Sequence, residues 1–320
     1  MLTDSFGRGH RKLRISITDR CNFRCPYCMP EKPRWMPAKA LMSGDDIVAM
    51  ARVFVTELGI TNLRITGGEP LLRRDVVDII AGLNTLRGEG LKRLSMTSNA
   101  AQLARHASAL SQAGLQDINI SLDSLNPDQF QRLSRGRYGP ADVIAGIEAA
   151  RSAGLGVKLN GVIIRGYNDD QILPLLNFAA THAVELRFIE FMPLDDEALW
   201  SRDRVVSAAD ILNTVGQFHA VEHLPEDGAP ARRYRLASGQ QFGIIATVTQ
   251  PFCARCDRLR ITADGRLYTC LFGREGTLLR GLEGPALNRA IHAAVGRKPA
   301  GYVAEPGYAE RDVRMYHLGG

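Results

Sequence analysis

Between Lys12 and about Leu212, short β-branched runs alternate with amphipathic helical stretches, and no other feature of the chain constrains its fold as strongly. The pattern predicts strands over Leu13–Thr18, Asn62–Thr66, Arg93–Thr97, Asp117–Ser121, Gly156–Ile164 and Glu185–Phe191. It predicts helices over Asp45–Leu58, Asp75–Leu86, Leu103–Gln112, Ala141–Ala153 and Ile172–Thr181, the first capped by Ser43 with Asp46 three residues on. Six right-handed βα units in series make either a partial barrel or an open doubly wound sheet, so the expected class is α/β.

After Pro193 the alternation weakens. A polar stretch from Trp200 to Arg204, a helix near Ala208–Val215 and a turn-rich segment over Pro225–Arg233 read as a domain transition. Residues 1–215 are expected to form the barrel-like unit and 216–320 a smaller second domain with a tail. In that second part, strands over Leu259–Thr262 and Leu267–Cys270 flank Ala263-Asp264-Gly265-Arg266, whose Asp-Gly is a hairpin signal.

The six cysteines fall into two groups, Cys21, Cys25 and Cys28, then Cys253, Cys256 and Cys270. A disulfide framework suits small secreted domains, whereas this chain has 320 residues and a polar Met1–Lys12 segment where an apolar leader would stand. Metal-binding thiols in a cytoplasmic setting are expected, and no run nears the roughly 18 apolar residues of a membrane span. The net charge of +6 suits an anionic partner, nucleic acid or phosphorylated small molecule, but no basic run is long enough for a nucleic-acid arm.

Cys21, Cys25 and Cys28 lie within eight residues, in the loop after the first strand. Three thiolates suit an iron-sulfur cubane with one iron left open, whereas zinc normally takes a fourth Cys or His, and no histidine lies between Cys21 and Cys28. The second triad alone reads as a zinc knuckle short of one ligand. Thr66-Gly67-Gly68-Glu69-Pro70 alone reads as a turn; its glycines permit close backbone approach to a ligand, and Glu69 offers an acceptor for an ammonium. Arg258 and Arg260 alternate with Leu259 and so share a face, either solvated or suited to triphosphate oxygens. Lys158 interrupts an otherwise buried-looking strand, where lysine is uncommon unless paired.

The CxxxCxxC loop, with Tyr27 before its last cysteine, and the Gly-Gly-Glu-Pro segment resemble the radical S-adenosylmethionine (SAM) superfamily. Leu13–Arg20 leading into the first triad, Pro251–Arg260 with Cys270-Leu271-Phe272 behind it, and the terminal Gly319-Gly320 extend the resemblance. From Leu13 to Gly320 the chain is similar to the GTP 3′,8-cyclase family of molybdenum cofactor biosynthesis. One departure is Thr97-Ser98-Asn99-Ala100, where the family usually has glycine after the asparagine.

The resemblance implies a partial (β/α)6 TIM-like barrel with a smaller C-terminal auxiliary-cluster domain. It implies a lyase that converts GTP to 3′,8-cyclo-7,8-dihydro-GTP, using a radical from reductive SAM cleavage to take hydrogen from C3′ of the ribose. Two [4Fe-4S] clusters are implied, on Cys21, Cys25 and Cys28 and on Cys253, Cys256 and Cys270, the second anchoring guanine through its open iron. SAM contacts are implied at Tyr27, Gly68, Ser121 and Met192, and GTP contacts at Arg14, Arg64, Thr97, Lys158, Arg258 and Arg260. Gly319 and Gly320 would enter the site as a catalytic tail, while Asn160 and Glu190 at strand ends stay unassigned. The implied partners are GTP, an external one-electron donor and the next pathway enzyme, cyclic pyranopterin monophosphate synthase, with neither membrane nor nucleic acid; a homodimer stays open. The rival readings are a radical SAM peptide-modifying enzyme and a zinc-containing nucleic-acid-binding protein.

Overall fold

In the computed structural model, β1 (Lys12–Ser16), β2 (Asn62–Thr66), β3 (Arg93–Ser98), β4 (Asp117–Ser121), β5 (Gly156–Ile163) and β6 (Glu185–Glu190) pair in sequence order, all parallel. The structure describes residues 1–194, 199–226, 228–302 and 313–319. Parallel neighbours need crossovers. These run through α1 (Gly44–Thr56), α2 (Val76–Asn84), α3 (Ala107–Gln112), α4 (Pro127–Ser134), α5 (Pro140–Ser152) and α6 (Ile172–Thr181). Ser43 and Asp46 close a reciprocal capping box on α1, and Pro127 and Pro140 occupy the first turns of α4 and α5, where a missing N–H costs nothing. The alternation pattern predicted neither α4 nor a later helix over Gly284–Gly296, although Asn126-Pro127 is a start signal and Asn126 caps α4.

The strands carry two different faces. Leu13, Leu63, Leu94, Ile118, Leu159 and Leu186 are buried against helix residues such as Phe54, Ile79 and Ile147. Each such side chain contributes about 1.5–3 kcal/mol when fully buried. The alternate positions, Arg14, Arg64, Ser95, Asn119, Lys158 and Arg187, line a cavity on the opposite face. Doubly covered parallel sheets usually read as continuous apolar runs, so this alternation marks a face reserved for polar contents.

The remaining chain adds α7 (Ala208–Gly216), β7 (Val221–His223), β8 (Arg232–Leu236), β9 (Gln241–Ile245), β10 (Arg258–Ile261), β11 (Arg266–Tyr268), β12 (Thr277–Leu278), α8 (Gly284–Gly296) and α9 (Met315–Leu318). Its strands join the same sheet at both edges, in the order β12-β11-β10-β1-β2-β3-β4-β5-β6-β9-β8-β7. β10 runs parallel to β1 and β9 parallel to β6, while β11, β12, β8 and β7 pair antiparallel. The result is a partial, TIM-like barrel with strands from beyond residue 220 on either side. Among the described residues, no helix is long and apolar enough to cross a membrane.

Candidate active site

The loop after β1 folds around Cys25, whose carbonyl accepts from the backbone of Cys28 at 2.8 Å and of Met29 at 2.9 Å. Phe23 anchors it edge-on against Phe130 of α4, with ring centroids 5.7 Å apart. The Gly67-Gly68 pair serves this loop directly. Gly68 N donates to Thr18 O and Glu69 N to Arg20 O, each at 2.7 Å. A Cβ on Gly68 would stand 2.3 Å from Arg20 O, and one on Gly67 2.6 Å from Thr18 O. The close approach expected between these glycines and a ligand is thus first an approach to the cysteine loop's own backbone.

Glu69 is buried and accepts from Leu71 N, Ser98 Oγ and Asn99 N at 3.0, 2.8 and 2.7 Å. Burial outweighs these bonds and raises its carboxyl to about 7. Asn99 also donates to Asn22 Oδ1 at 2.8 Å, tying the loop after β3 to the cysteine loop. Ala100, at the position where glycine is usual, adopts φ +60°. An L-residue pays roughly 1–2 kcal/mol there. Gly146 of α5 makes room, since a Cβ on it would lie 2.5 Å from Ala100 O. Tyr27 donates to Asp123 Oδ2 at 2.5 Å, and Asp123 Oδ1 accepts from Val162 N at 2.8 Å. Burial raises Asp123 to about 6.

The first triad, Gly68, Glu69, Ser121 and Asp123 face one cavity of about 160 Å³. A neighbouring cavity of about 300 Å³ is faced by the second triad and by Arg14, Arg64, Lys158, Arg258 and Arg260. Thr97, Asn160, Ile189 and Met192 line both. A larger cavity of about 560 Å³ beside Glu185 and Phe242 holds none of the thiols, so volume alone does not mark the site.

Strand register assembles the cations. Arg14 is the register partner of Arg260 on one side and of Arg64 on the other, which sets three guanidinium groups in a row across β10, β1 and β2. Burial first, then Arg260, Arg64 and Arg258, push Arg14 well below the usual arginine range. Burial and neighbouring cations likewise lower Arg64 to about 10 and Arg260 to about 9. Arg64 donates to Ser95 Oγ at 3.2 Å and, with the Asn119 amide oxygen turned toward it, to Asn119 at 2.6 and 3.1 Å. Lys158 pairs across strands with Glu185 at 2.5 Å, and Arg187 holds the other carboxylate oxygen at 2.6 Å. Burial would raise Glu185, but Arg187 and Lys158 outweigh it and lower its carboxyl.

In the second triad, burial pushes the Cys256 thiol up, and the charges of Arg258 and Lys298 more than offset it, leaving the thiol at about 7. Cys21, by contrast, is pushed up to about 12 by burial and by Glu69. Several sulfurs already accept protein donors: Cys21 from Phe23 N and Cys270 from Phe272 N, each at 3.4 Å, and Cys256 from Arg258 at 3.6 Å. No disulfide joins the cysteines among the described residues. Among the described residues, no three Cys, His, Asp or Glu side chains converge on one ion-sized point. Three thiols around each cavity, one of each triad already bonded to a backbone N–H group, are a donor set that fits a cluster of several irons.

The tail reaches between the cavities. Trp35 meets Tyr316 edge-on at 6.1 Å, and Leu318 packs with Tyr268 and Val313. Arg260 donates to Leu318 O and Gly319 O at 2.9 Å each, and Arg14 to Gly319 O at 3.4 Å. Gly319 has φ +68°, and a Cβ there would lie 2.0 Å from Thr66 Cγ2. Gly320 lies outside the described residues.

Every other predicted site residue lines or adjoins these two cavities. Glu190 turns out to be a structural clasp, its oxygens accepting from Ala208 N, Val248 N, Thr249 N and Thr249 Oγ1. Asn160 stands on the shared wall with Oδ1 buried and unbonded. Sequence reasoning missed Asp123, at the end of a barrel strand where sites are built, and Arg187, which breaks an apolar strand as Lys158 does.

Comparison with known proteins agrees with this geometry. The family described as the radical SAM superfamily matches residues 15–179, and that described as Molybdenum Cofactor Synthesis C matches residues 184–304. Among solved structures, SAM-bound SuiB of Streptococcus suis superposes with a TM-score of 0.62 at 12% identity, covering 95% of this chain and 74% of that one. At that identity the likeness is one of fold. The class is therefore a radical SAM enzyme, a superfamily whose cofactors are a [4Fe-4S] cluster and SAM. Proteins described as GTP 3′,8-cyclases from Mycobacterium sp. (strain KMS) and Streptomyces coelicolor are each 43% identical over the whole chain, covering 93% and 96% of their own lengths. One from Rhodobacter capsulatus is 41% identical, with 98% of its length covered. The chain belongs to the GTP 3′,8-cyclase family.

Proposed function

We propose that the protein is a lyase converting GTP to 3′,8-cyclo-7,8-dihydro-GTP, the first step of molybdenum cofactor biosynthesis. The observation that carries this reading is the row Arg260–Arg14–Arg64, with Arg260 buried and Arg14 and Arg64 half-buried, lying beside one thiol triad and one shared wall away from the other. Buried like charges are costly, and a triphosphate offsets them with bidentate, charge-assisted bonds. Arg258 and Lys158 add to the same cavity.

Cys21, Cys25 and Cys28 would hold the first [4Fe-4S] cluster, with SAM against Tyr27, Gly68, Ser121 and Met192. When bound, this pair supplies a carbon radical able to remove a hydrogen atom, the electron coming from an external donor. Cys253, Cys256 and Cys270 would hold a second cluster facing the guanine. Phosphates on the arginine row and a base toward the second triad leave the ribose at the wall of Thr97, Asn160, Ile189 and Met192, open to both cavities. The chain's own task is placement and exclusion of water. Gly319 closes this space by binding Arg14 and Arg260.

By chemistry, residues 1–215 form the SAM-binding barrel and 216–320 the auxiliary-cluster part. Six cysteines clustered in two triads favour a reducing cytoplasm, and the product would pass to cyclic pyranopterin monophosphate synthase. The test is anaerobic turnover of the reconstituted protein with GTP, SAM and a reductant. Cyclised product from GTP, with turnover of ATP lower by up to about four powers of ten, is expected where buried groups hydrogen-bond the guanine edge. SAM cleavage without a cyclised nucleotide would overturn the reading.

A further inference from the structure

Lys298 follows α8 and is buried, with 3% exposure. Its Nζ lies 2.9 Å from Arg258 O, 3.2 Å from Cys256 O and 2.8 Å from His10 Nε2. Those three acceptors use the three ammonium hydrogens, and Cys256 Sγ stands beside them at 3.7 Å. No carboxylate pairs with Lys298 among the described residues. A buried ammonium is costly unless it meets negative charge, and the anionic groups this one faces are cysteine sulfurs once they carry metal.

The other side of the same loop is held by an N-terminal hook. Asp4 Oδ1 accepts from Phe6 N and Arg8 N at 3.0 Å each, and Gly7 at φ +76° turns the chain between them. Asp4 Oδ2 takes Arg8 Nε at 2.7 Å and lies 3.7 Å from His10 Nε2. Arg8, so fixed, donates to Cys253 O at 2.9 Å, Ala300 O at 2.9 Å and Pro299 O at 2.6 Å. The carbonyls of two of the three thiol residues are therefore gripped by two buried cations. These come from opposite ends of the sequence.

We infer that Lys298 is a positioning residue of the second thiol site: it fixes Cys256 through its carbonyl and places a positive charge against the thiolate, easing reduction of the cluster held there. The inference rests on the proposed second cluster. A cation near a cluster stabilises the reduced, more negative state, so its removal lowers the potential.

The experiment uses the full chain with Cys21, Cys25 and Cys28 replaced by alanine, reconstituted anaerobically so that iron and the midpoint potential report on the second site alone. Absence of iron in this parent, or zinc in its place, would refute the second cluster itself and not the role of Lys298. With iron bound, Lys298→Met is expected to shift the reduction equilibrium at least roughly tenfold toward the oxidised state, about 59 mV for one electron. Lys298→Arg, which keeps the charge, should stay near the parent. An unchanged potential in Lys298→Met overturns the inference. Should Lys298→Met fail to hold iron, Lys298→Arg decides: parental iron and potential support the charge role, and loss of iron there too overturns it.

Discussion

Gly319→Ala tests the tail most sharply. The new Cβ would lie 2.0 Å from Thr66 Cγ2, where ordinary contact begins near 3.4 Å, and would have to adopt φ +68°. The backbone conformation alone costs roughly 1–2 kcal/mol. Relieving the clash requires a shift of more than about 1 Å, which takes Gly319 O out of reach of Arg260, now at 2.9 Å, and Arg14, at 3.4 Å. Hydrogen bonds to charged groups are worth about 1.5–3 kcal/mol each, and a misplacement of about 1 Å can cost 10²-fold in rate. We expect Gly319→Ala to keep parental iron and SAM binding and to lose about 10²-fold or more in GTP cyclisation. Replacing Thr66 by alanine in the same chain removes the methyl group and hydroxyl that clash, and should restore part of the loss. The assay is anaerobic turnover at equal iron content, with SAM cleavage followed in parallel. Parental cyclisation by Gly319→Ala would refute the reasoning.

Reconstituted protein should hold about eight irons per chain by metal analysis, as two four-iron clusters require. Cys25→Ser should abolish SAM cleavage, whereas Cys256→Ser should spare some cleavage and lose cyclisation; product assays separate the two. Arg14→Met should weaken GTP binding by about 1.5–3 kcal/mol, roughly 10- to 100-fold, and leave SAM binding unchanged in separate titrations. Glu69 sits at about 7 when folded, above the ordinary 4.5, so the folded chain holds this proton more tightly than the unfolded chain. Its stabilising contribution is complete below the ordinary value and is lost as pH rises through about 7. In metal-free protein, denaturant titrations should therefore show the native chain losing stability relative to Glu69→Gln between about pH 5 and 8. A constant difference would contradict the assignment.

Much of the barrel was legible because its strands repeat one pattern: Lys-Leu-Arg-Ile-Ser, Asn-Leu-Arg-Ile-Thr and Asp-Ile-Asn-Ile-Ser each set apolar residues toward helices and polar ones toward the cavity. Arg14, Arg64 and Lys158 stood out for the same reason. What could not be read was what register brings together. The row Arg260–Arg14–Arg64 joins residues from three distant segments, and Lys158 meets Glu185 only once β5 and β6 align. β7, β8 and β9 are short or irregular, and nothing local says that β9 and β10 continue the barrel sheet at opposite edges. The hook at Asp4, Gly7 and Arg8 looks like an ordinary polar terminus until its distant partner carbonyls are known.

The attachment of late strands to both edges also sets an order of assembly. β1 emerges first, yet one of its edges pairs with β10, whose first residue is Arg258, and the outer edge of β6 pairs with β9. At about 5–20 residues per second, the first strand waits on the order of 10–50 s for its neighbour to be made. During that interval the nascent sheet offers two open edges, the kind of surface that recruits other chains. Non-local closure of this type is also slow once the whole chain is free. The segment that carries the second thiol triad thus leads into the strand that covers the β1 edge, and a chain that stops before it would leave that edge unpaired and lose that site.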